Sequence, residues 1–204
     1  MKKIIINILL VFALLGCSEK KEPILLSDTI VSFGDSLTFG YGAQENEAYP
    51  YKLKEIIGYN VINAGVNGDT AQNGVRRIIE VVQEHNPKLV LLSLGGNDML
   101  RQSSQNLENN LKEIVKFLKS KNIEVVLIAE PQPSIMGKTF GLSDAKVYKK
   151  VAKDENIILI EDVFSKYLSK EELKSDLIHL NAAGYEKVAQ DVAKKLKDSG
   201  YIVF

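Results

Sequence analysis

One cysteine, two histidines and no tryptophan occur in the 204 residues, and each scarcity closes off a class of protein. A lone cysteine makes no intrachain disulfide. One cysteine with two histidines cannot complete a structural zinc site of four cysteines, or of two cysteines and two histidines. Charge of one sign is missing as well. The chain's 26 Lys and Arg balance its 26 Asp and Glu, so no basic field exists to follow the phosphates of a nucleic acid. No apolar run reaches the roughly 20 residues of a transmembrane helix. Hydrophobic residues at 45% and charged residues at 25% suit a folded soluble chain, not a disordered one, and the length suits one domain.

What is present begins with an address. Lys2 and Lys3 precede an apolar run from Ile4 to Leu15, broken by Asn7, which is the order of a secretory signal. The run closes on Leu14-Leu15-Gly16-Cys17 and gives way to the charged stretch Glu19 to Glu22. This junction resembles the lipobox of bacterial lipoproteins, which implies that Cys17 is lipidated and becomes the new N-terminus. The expectation is a signal peptide over 1–16, a lipidated tether over 17–28 and one folded domain over 29–204. The protein would then be held to a membrane of the bacterial cell envelope, facing the periplasm or the exterior. An ordinary secretory peptide with a chance cysteine, or a buried helix with a structural thiol, is the alternative.

Beyond the tether the chain alternates between two periodicities. Short β-branched or aliphatic runs at Thr29 to Phe33, Asn60 to Ile62, Leu89 to Leu94, Ile123 to Ala129 and Ile157 to Ile160 read as buried strands. Helical periods lie between them at Tyr51 to Ile57, Ala71 to Glu84, Asn106 to Lys121 and Asp144 to Glu155, with a last one from Ala182 to Lys197 before Gly200. The third helix is the clearest, with Leu107, Leu111, Ile114, Val115 and Leu118 on one face. Continuous apolar strands separated by helices imply a five-stranded parallel sheet covered on both faces. Such sheets bind ligands outside the carboxyl ends of their strands.

The chemistry-bearing residues meet that rule. Gly34-Asp35-Ser36-Leu37 follows the first strand, Asn63-Ala64-Gly65-Val66-Asn67-Gly68-Asp69-Thr70 the second, and Gly95-Gly96-Asn97-Asp98 the third. Asp176-Leu177-Ile178-His179 precedes the last helix. A serine attacks a carbonyl only when a base takes its proton, and that base needs a third group to orient it. His179 with Asp176 three residues earlier supplies such a pair for Ser36, whereas His85 reads as surface structure at a helix end. Acyl transfer also needs donors for an oxyanion. Gly68 lets the backbone approach closely, the Asn97 amide donates without titrating, and Ser36 adds its own N–H if it opens a helical turn. Each motif alone is an ordinary turn or cap. Their order and placement together carry the signal.

That conjunction resembles the SGNH hydrolases, the GDSL family of esterases and lipases, from Thr29 to Leu196. The blocks FGDSLTFGYG, NAGVNGDT, GGND and DLIHLNAAGY are closest to the bacterial periplasmic thioesterase, lysophospholipase and arylesterase branch. The resemblance implies a three-layer α/β/α flavodoxin-like fold that needs no metal or organic cofactor. It implies Ser36 as nucleophile, His179 as base and then acid, Asp176 as the orienting carboxylate, and Ser36, Gly68 and Asn97 as the oxyanion hole. Many members carry proline after the base histidine. Leu180 stands there in this chain, as in thioesterase-like members.

The substrate is less legible. Residues 131–143 form a long aperiodic connection with Ile135, Met136, Phe140 and Leu142, suited to contact with an acyl chain. Tyr41 and Tyr49 are weaker candidates for the pocket wall. The expected substrates are short-to-medium acyl esters, lysophospholipids or thioesters. Deacetylation of envelope carbohydrate is the enzymatic alternative, and a noncatalytic envelope lipoprotein is the alternative of another class.

Overall fold

The computed structural model describes residues 23–101, 103–133 and 141–203. The expected signal peptide and Cys17 lie outside the described residues, as do Ile135, Met136 and Phe140. Five strands form one parallel sheet: β1 (Thr29–Gly34), β2 (Asn60–Gly65), β3 (Leu89–Ser93), β4 (Glu124–Ile128) and β5 (Ile158–Ile160). Their spatial order is β2-β1-β3-β4-β5, the flavodoxin-like order, whose switch point lies between β1 and β3.

Eight α-helices are described: α1 (Ser36–Phe39), α2 (Tyr49–Ile57), α3 (Ala71–His85), α4 (Gly96–Leu100), α5 (Leu107–Ser120), α6 (Lys146–Asp154), α7 (Val163–Leu168) and α8 (Ala182–Asp198). Alternation along the strands splits the continuous apolar runs between two cores. Ile30, Leu89, Leu91, Val126 and Ile128 pack against α2, α7 and α8. Val31, Phe33, Val90, Leu92 and Leu127 face α3, α5 and α6. The five apolar positions read for the third helical period are all buried in the second core, each contributing about 1.5–3 kcal/mol of transfer free energy.

Three features differ from the sequence reading. Strand β2 runs on to Gly65, because β1 pairs with it as far as Gly34 opposite Gly65. The short helices α1, α4 and α7 have no counterpart among the helical periods, since four to six residues are too few to show one, yet in α7 Val163, Phe164, Tyr167 and Leu168 are all buried. The expected tether also overlaps packed residues. Ile24 is 4% exposed, joins the first core and donates its N–H to the Tyr201 carbonyl at 2.9 Å, so among the described residues the packed structure reaches back at least to Ile24.

Candidate active site

The local sequence explains why Ser36 stands where it does. Asp35 is the N-cap of α1, and its Oδ1 accepts the Leu37 N–H at 2.9 Å. Ser36 is therefore the first helical residue, and its N–H has no acceptor within the helix. The Ser36 carbonyl accepts from both Gly40 and Tyr41 at 3.0 Å, which turns the chain back and brings the Tyr41 ring beside His179, centroids 4.4 Å apart.

The segment before α8 folds on itself to present His179. Asn181 caps α8 through its Oδ1, which takes the Gly184 N–H at 3.0 Å, while its amide donates to the Glu172 carbonyl at 2.9 Å. The Ser175 N–H reaches the His179 carbonyl at 3.1 Å, and Leu180 is fully buried in the first core. Leu180 thus anchors the loop by packing. Asp176 Oδ1 accepts the N–H groups of Ile178 and His179, both at 2.8 Å, and its Oδ2 lies 2.7 Å from His179 Nδ1. His179 Nε2 lies 3.0 Å from Ser36 Oγ. Burial raises the Asp176 carboxyl, but the hydrogen bonds from the His179 ring and the two N–H groups outweigh it and hold the carboxyl below its ordinary value. A carboxylate on Nδ1 fixes the proton there and leaves Nε2 as the acceptor facing Ser36.

The other edge of the site holds Gly68 and Asn97. Val66 to Asp69 form a turn closed by the Asp69 N–H on the Val66 carbonyl at 3.1 Å, with Gly68 at φ +76°. That backbone region is open to glycine at little cost. The Asn97 amide nitrogen donates to the Asp69 carbonyl at 3.0 Å and to Asp35 Oδ2 at 3.2 Å. The same side chain therefore ties the turn after β2 to the turns after β1 and β3.

Behind these groups lies a set of buried acids that the sequence reading did not single out. Asp35 is 2% exposed, and its carboxyl is pushed up to about 7 by burial, with Asp69 and Asp98 adding to the rise against hydrogen bonds from Leu37 and Asn97. Glu130 is fully buried at the carboxyl end of β4. It accepts the Ser93 hydroxyl at 2.9 Å and the Gly96 N–H at 2.5 Å. Burial and the neighbouring Asp35 raise it well above an ordinary carboxyl. A Cβ at position 96 would stand 2.6 Å from Glu130 Oε2, so glycine there admits the carboxyl under the Asn97 turn. Asp98 Oδ2 takes the Ala71 N–H at 2.9 Å at the start of α3.

Arg77 completes this layer. Its guanidinium bonds Asp69 Oδ2 at 2.5 Å, the Ala64 carbonyl at 2.9 Å and the Gly34 carbonyl at 2.8 Å, and it covers the Phe33 ring. Glu130 could have been found by the carboxyl-end rule, because an acid ends the run Ile123 to Ala129. Nothing in the linear order separates Arg77 from the exposed Arg76 beside it.

A cavity of about 590 Å³ opens over Ser36 and His179. Tyr41, Leu100, Pro131, Leu142, Leu177 and Ile178 supply much of its apolar wall. Leu142 and Tyr41 thus lie where the sequence reading put them. Tyr49 does not. It is 0% exposed, its ring edge-on to Phe164 at 6.0 Å in the first core, because α2 starts at Tyr49 and turns that side inward. His85 closes α3, where Glu84 approaches it at 3.7 Å, and it takes no part in the site. Among the described residues no cluster of His, Cys, Asp or Glu is arranged to hold a metal ion.

Residues 32–187 match the GDSL-like lipase/acylhydrolase family. The chain is 32% identical over 175 residues to thioesterase 1/protease 1/lysophospholipase L1 of Escherichia coli, covering 84% of each protein. It is 27% identical over 199 residues to an arylesterase of Vibrio mimicus, covering 94% of this chain and 96% of that one. The crystal structure of TesA superposes with a TM-score of 0.75 at 26% identity, over 84% of this chain and 99% of that one.

Proposed function

Since the chain belongs to the GDSL-like lipase/acylhydrolase family, the SGNH hydrolases, we propose that it hydrolyses carboxylic esters through an acyl-enzyme on Ser36. The observation that carries this reading is the relay from Asp176 through His179 to Ser36 Oγ, at 2.7 and 3.0 Å, beneath an apolar cavity. His179 Nε2 takes the hydroxyl proton as Oγ attacks the ester carbonyl, and Asp176 stabilises the imidazolium that forms. The N–H groups of Ser36 and Gly68 receive the oxyanion, joined by the Asn97 amide as it gives up its 3.2 Å bond to Asp35 Oδ2. His179 then returns the proton to the leaving alcohol or thiol. In the second half it activates a water that releases the acid from Ser36.

The volume and the apolar lining favour acyl chains longer than acetyl, and so short-to-medium esters, lysophospholipids or thioesters over a saccharide acetate. The wall would hold the acyl chain by burial. Cys17 in the Leu14-Leu15-Gly16-Cys17 junction would bear the lipid that holds the enzyme to a membrane of the cell envelope. Residues 1–16 would be removed as its signal peptide.

The test uses the chain from Ser18 onward with p-nitrophenyl acetate, butyrate, octanoate and palmitate, a lysophospholipid and acetylated xylan. Turnover should rise beyond the acetate. Ser36→Ala and His179→Ala should each reduce it on the order of 10^3 or more, and the double variant little further, because the two side chains act as one unit. Full activity in Ser36→Ala would refute the mechanism, and turnover confined to acetyl substrates would refute the substrate class.

A further inference from the structure

The two ends of the sheet carry different apolar surfaces. At the carboxyl edge, exposed Tyr41, Leu100, Leu177 and Ile178 belong to the cavity mouth. At the amino edge, Leu25, Leu26 and Val203 are 66%, 65% and 65% exposed and take no part in the Ser36 cavity. They sit on a fixed base. Ile24 donates to the Tyr201 carbonyl at 2.9 Å, and the Val203 N–H reaches the Tyr59 hydroxyl at 3.3 Å. Tyr59 directly precedes β2, and Leu25 and Leu26 lead into β1. The patch therefore lies beyond the amino ends of the strands, across the sheet from Ser36.

The chain length on this side decides what can cover the patch. Six residues, 18 to 23, separate Cys17 from Ile24. Even fully extended, the seven steps from Cys17 to Ile24 reach only about 25 Å, at roughly 3.3–3.6 Å per residue. A domain of this length has a radius of gyration of about 16 Å, and so spans about 40 Å. A lipid on Cys17 cannot stay in its bilayer while the opposite, carboxyl edge faces the same surface. It brings Leu25 and Leu26 to the membrane instead.

We propose that the amino edge of the sheet, through Leu25, Leu26 and Val203, docks on the bilayer that holds Cys17, so that the Ser36 cavity opens away from that membrane. The enzyme then takes esters that reach it from the aqueous side and not those embedded in its own bilayer. This rests on the reading of Cys17 as the lipidated residue.

Because Cys17 is the only cysteine and is consumed by the lipid, single engineered thiols report position without interference. The full chain, processed in a bacterial host and reconstituted into phosphatidylethanolamine–phosphatidylglycerol vesicles, carries an environment-sensitive dye at Leu26→Cys or at Leu177→Cys. Brominated lipids should quench the dye at position 26 several-fold more than the dye at 177. Equal or reversed quenching overturns the orientation. A second arm inserts 20 Gly and Ser residues after Ser18. A linker too short to span two sites gives almost no effective concentration, so the insertion should raise hydrolysis of a long-chain fluorogenic ester in the enzyme's own vesicle by about 10-fold or more. Hydrolysis of dissolved p-nitrophenyl butyrate should stay unchanged. Own-bilayer turnover that is already high and insensitive to the insertion overturns the proposal. The mass of the mature protein separates the two readings. Absence of acyl chains on Cys17 removes the anchor and the proposal with it, whereas acylated protein with equal quenching removes the orientation alone.

Discussion

Two aspartates flank Ser36, and the fold treats them in opposite ways. Asp176 has a side chain 44% exposed, with a histidine ring and two N–H groups on its oxygens, and its carboxyl is held below the ordinary value. Asp35 is buried, with Asp69 and Asp98 as neighbouring acids, and its carboxyl is pushed up to about 7. Residue type is the same on both sides. Solvent and the sign of the neighbouring groups decide whether a carboxylate is kept charged to orient a base or left near neutrality to knit turns together.

The sharpest way to break this comparison is to remove the charge from each carboxyl. Asp176→Asn should lower kcat on the order of 10^4, since the amide favours the wrong His179 tautomer, and should lower the melting temperature only slightly, because solvent screens the lost charge at so exposed a position. Near-normal turnover would show that Asp176 does not orient His179. Asn97→Ala should cost about 10^2–10^3 in kcat with a smaller effect on KM, as expected for a donor used in the transition state. A loss expressed only in KM would count against the oxyanion role. Asp35→Asn keeps the cap of α1 but turns an amide toward Asn97. Leaving one donor unpaired there should cost about 10- to 100-fold in kcat, well short of the loss at Asp176. An equal loss would show that the two aspartates serve His179 and Ser36 alike.

The smallest effect concerns stability. Asp35 and Glu130 bind their protons more tightly in the fold than in the unfolded chain, where they leave near pH 4, so their contribution is favourable below that pH and is lost as pH rises through the raised values, about 7 for Asp35. Asp176 has the opposite sign. Its contribution is present above the ordinary carboxyl value and is lost as pH falls through the lowered one. Glu130→Gln can keep both hydrogen bonds, accepting from Gly96 and donating to Ser93, without a buried charge. Its melting temperature at pH 8 should exceed the parent's by several degrees, at about 2–4 °C per kcal/mol, with no gain at pH 4. A variant no more stable at pH 8 than at pH 4 would show that Glu130 is not the destabilising charge.

Much of the site was legible because its parts are local. Asp176 and His179 lie three residues apart and meet in one turn, Gly68 sits in a turn that needs its backbone freedom, and Ser36 follows its cap directly. The layer behind them was not legible, because Glu130, Ser93, Gly96 and Asp35 come from three strand ends and meet only when β1, β3 and β4 are neighbours. Tyr49 was misplaced for a related reason. Its position after Ser36 suggested the pocket, while the start of α2 at Tyr49 turned its ring into the core beside Phe164.

The sequence by itself determined the parallel sheet, the edge at which the chemistry gathers and the residues proposed to perform it, since periodicity, caps and glycine turns are properties of short segments. Only the tertiary structure decided which carboxyls are raised and which lowered, which tyrosine faces the cavity and that Ile24 packs into the core. Desolvation and packing depend on what residues far along the chain bring to a point in space, and no local pattern encodes that.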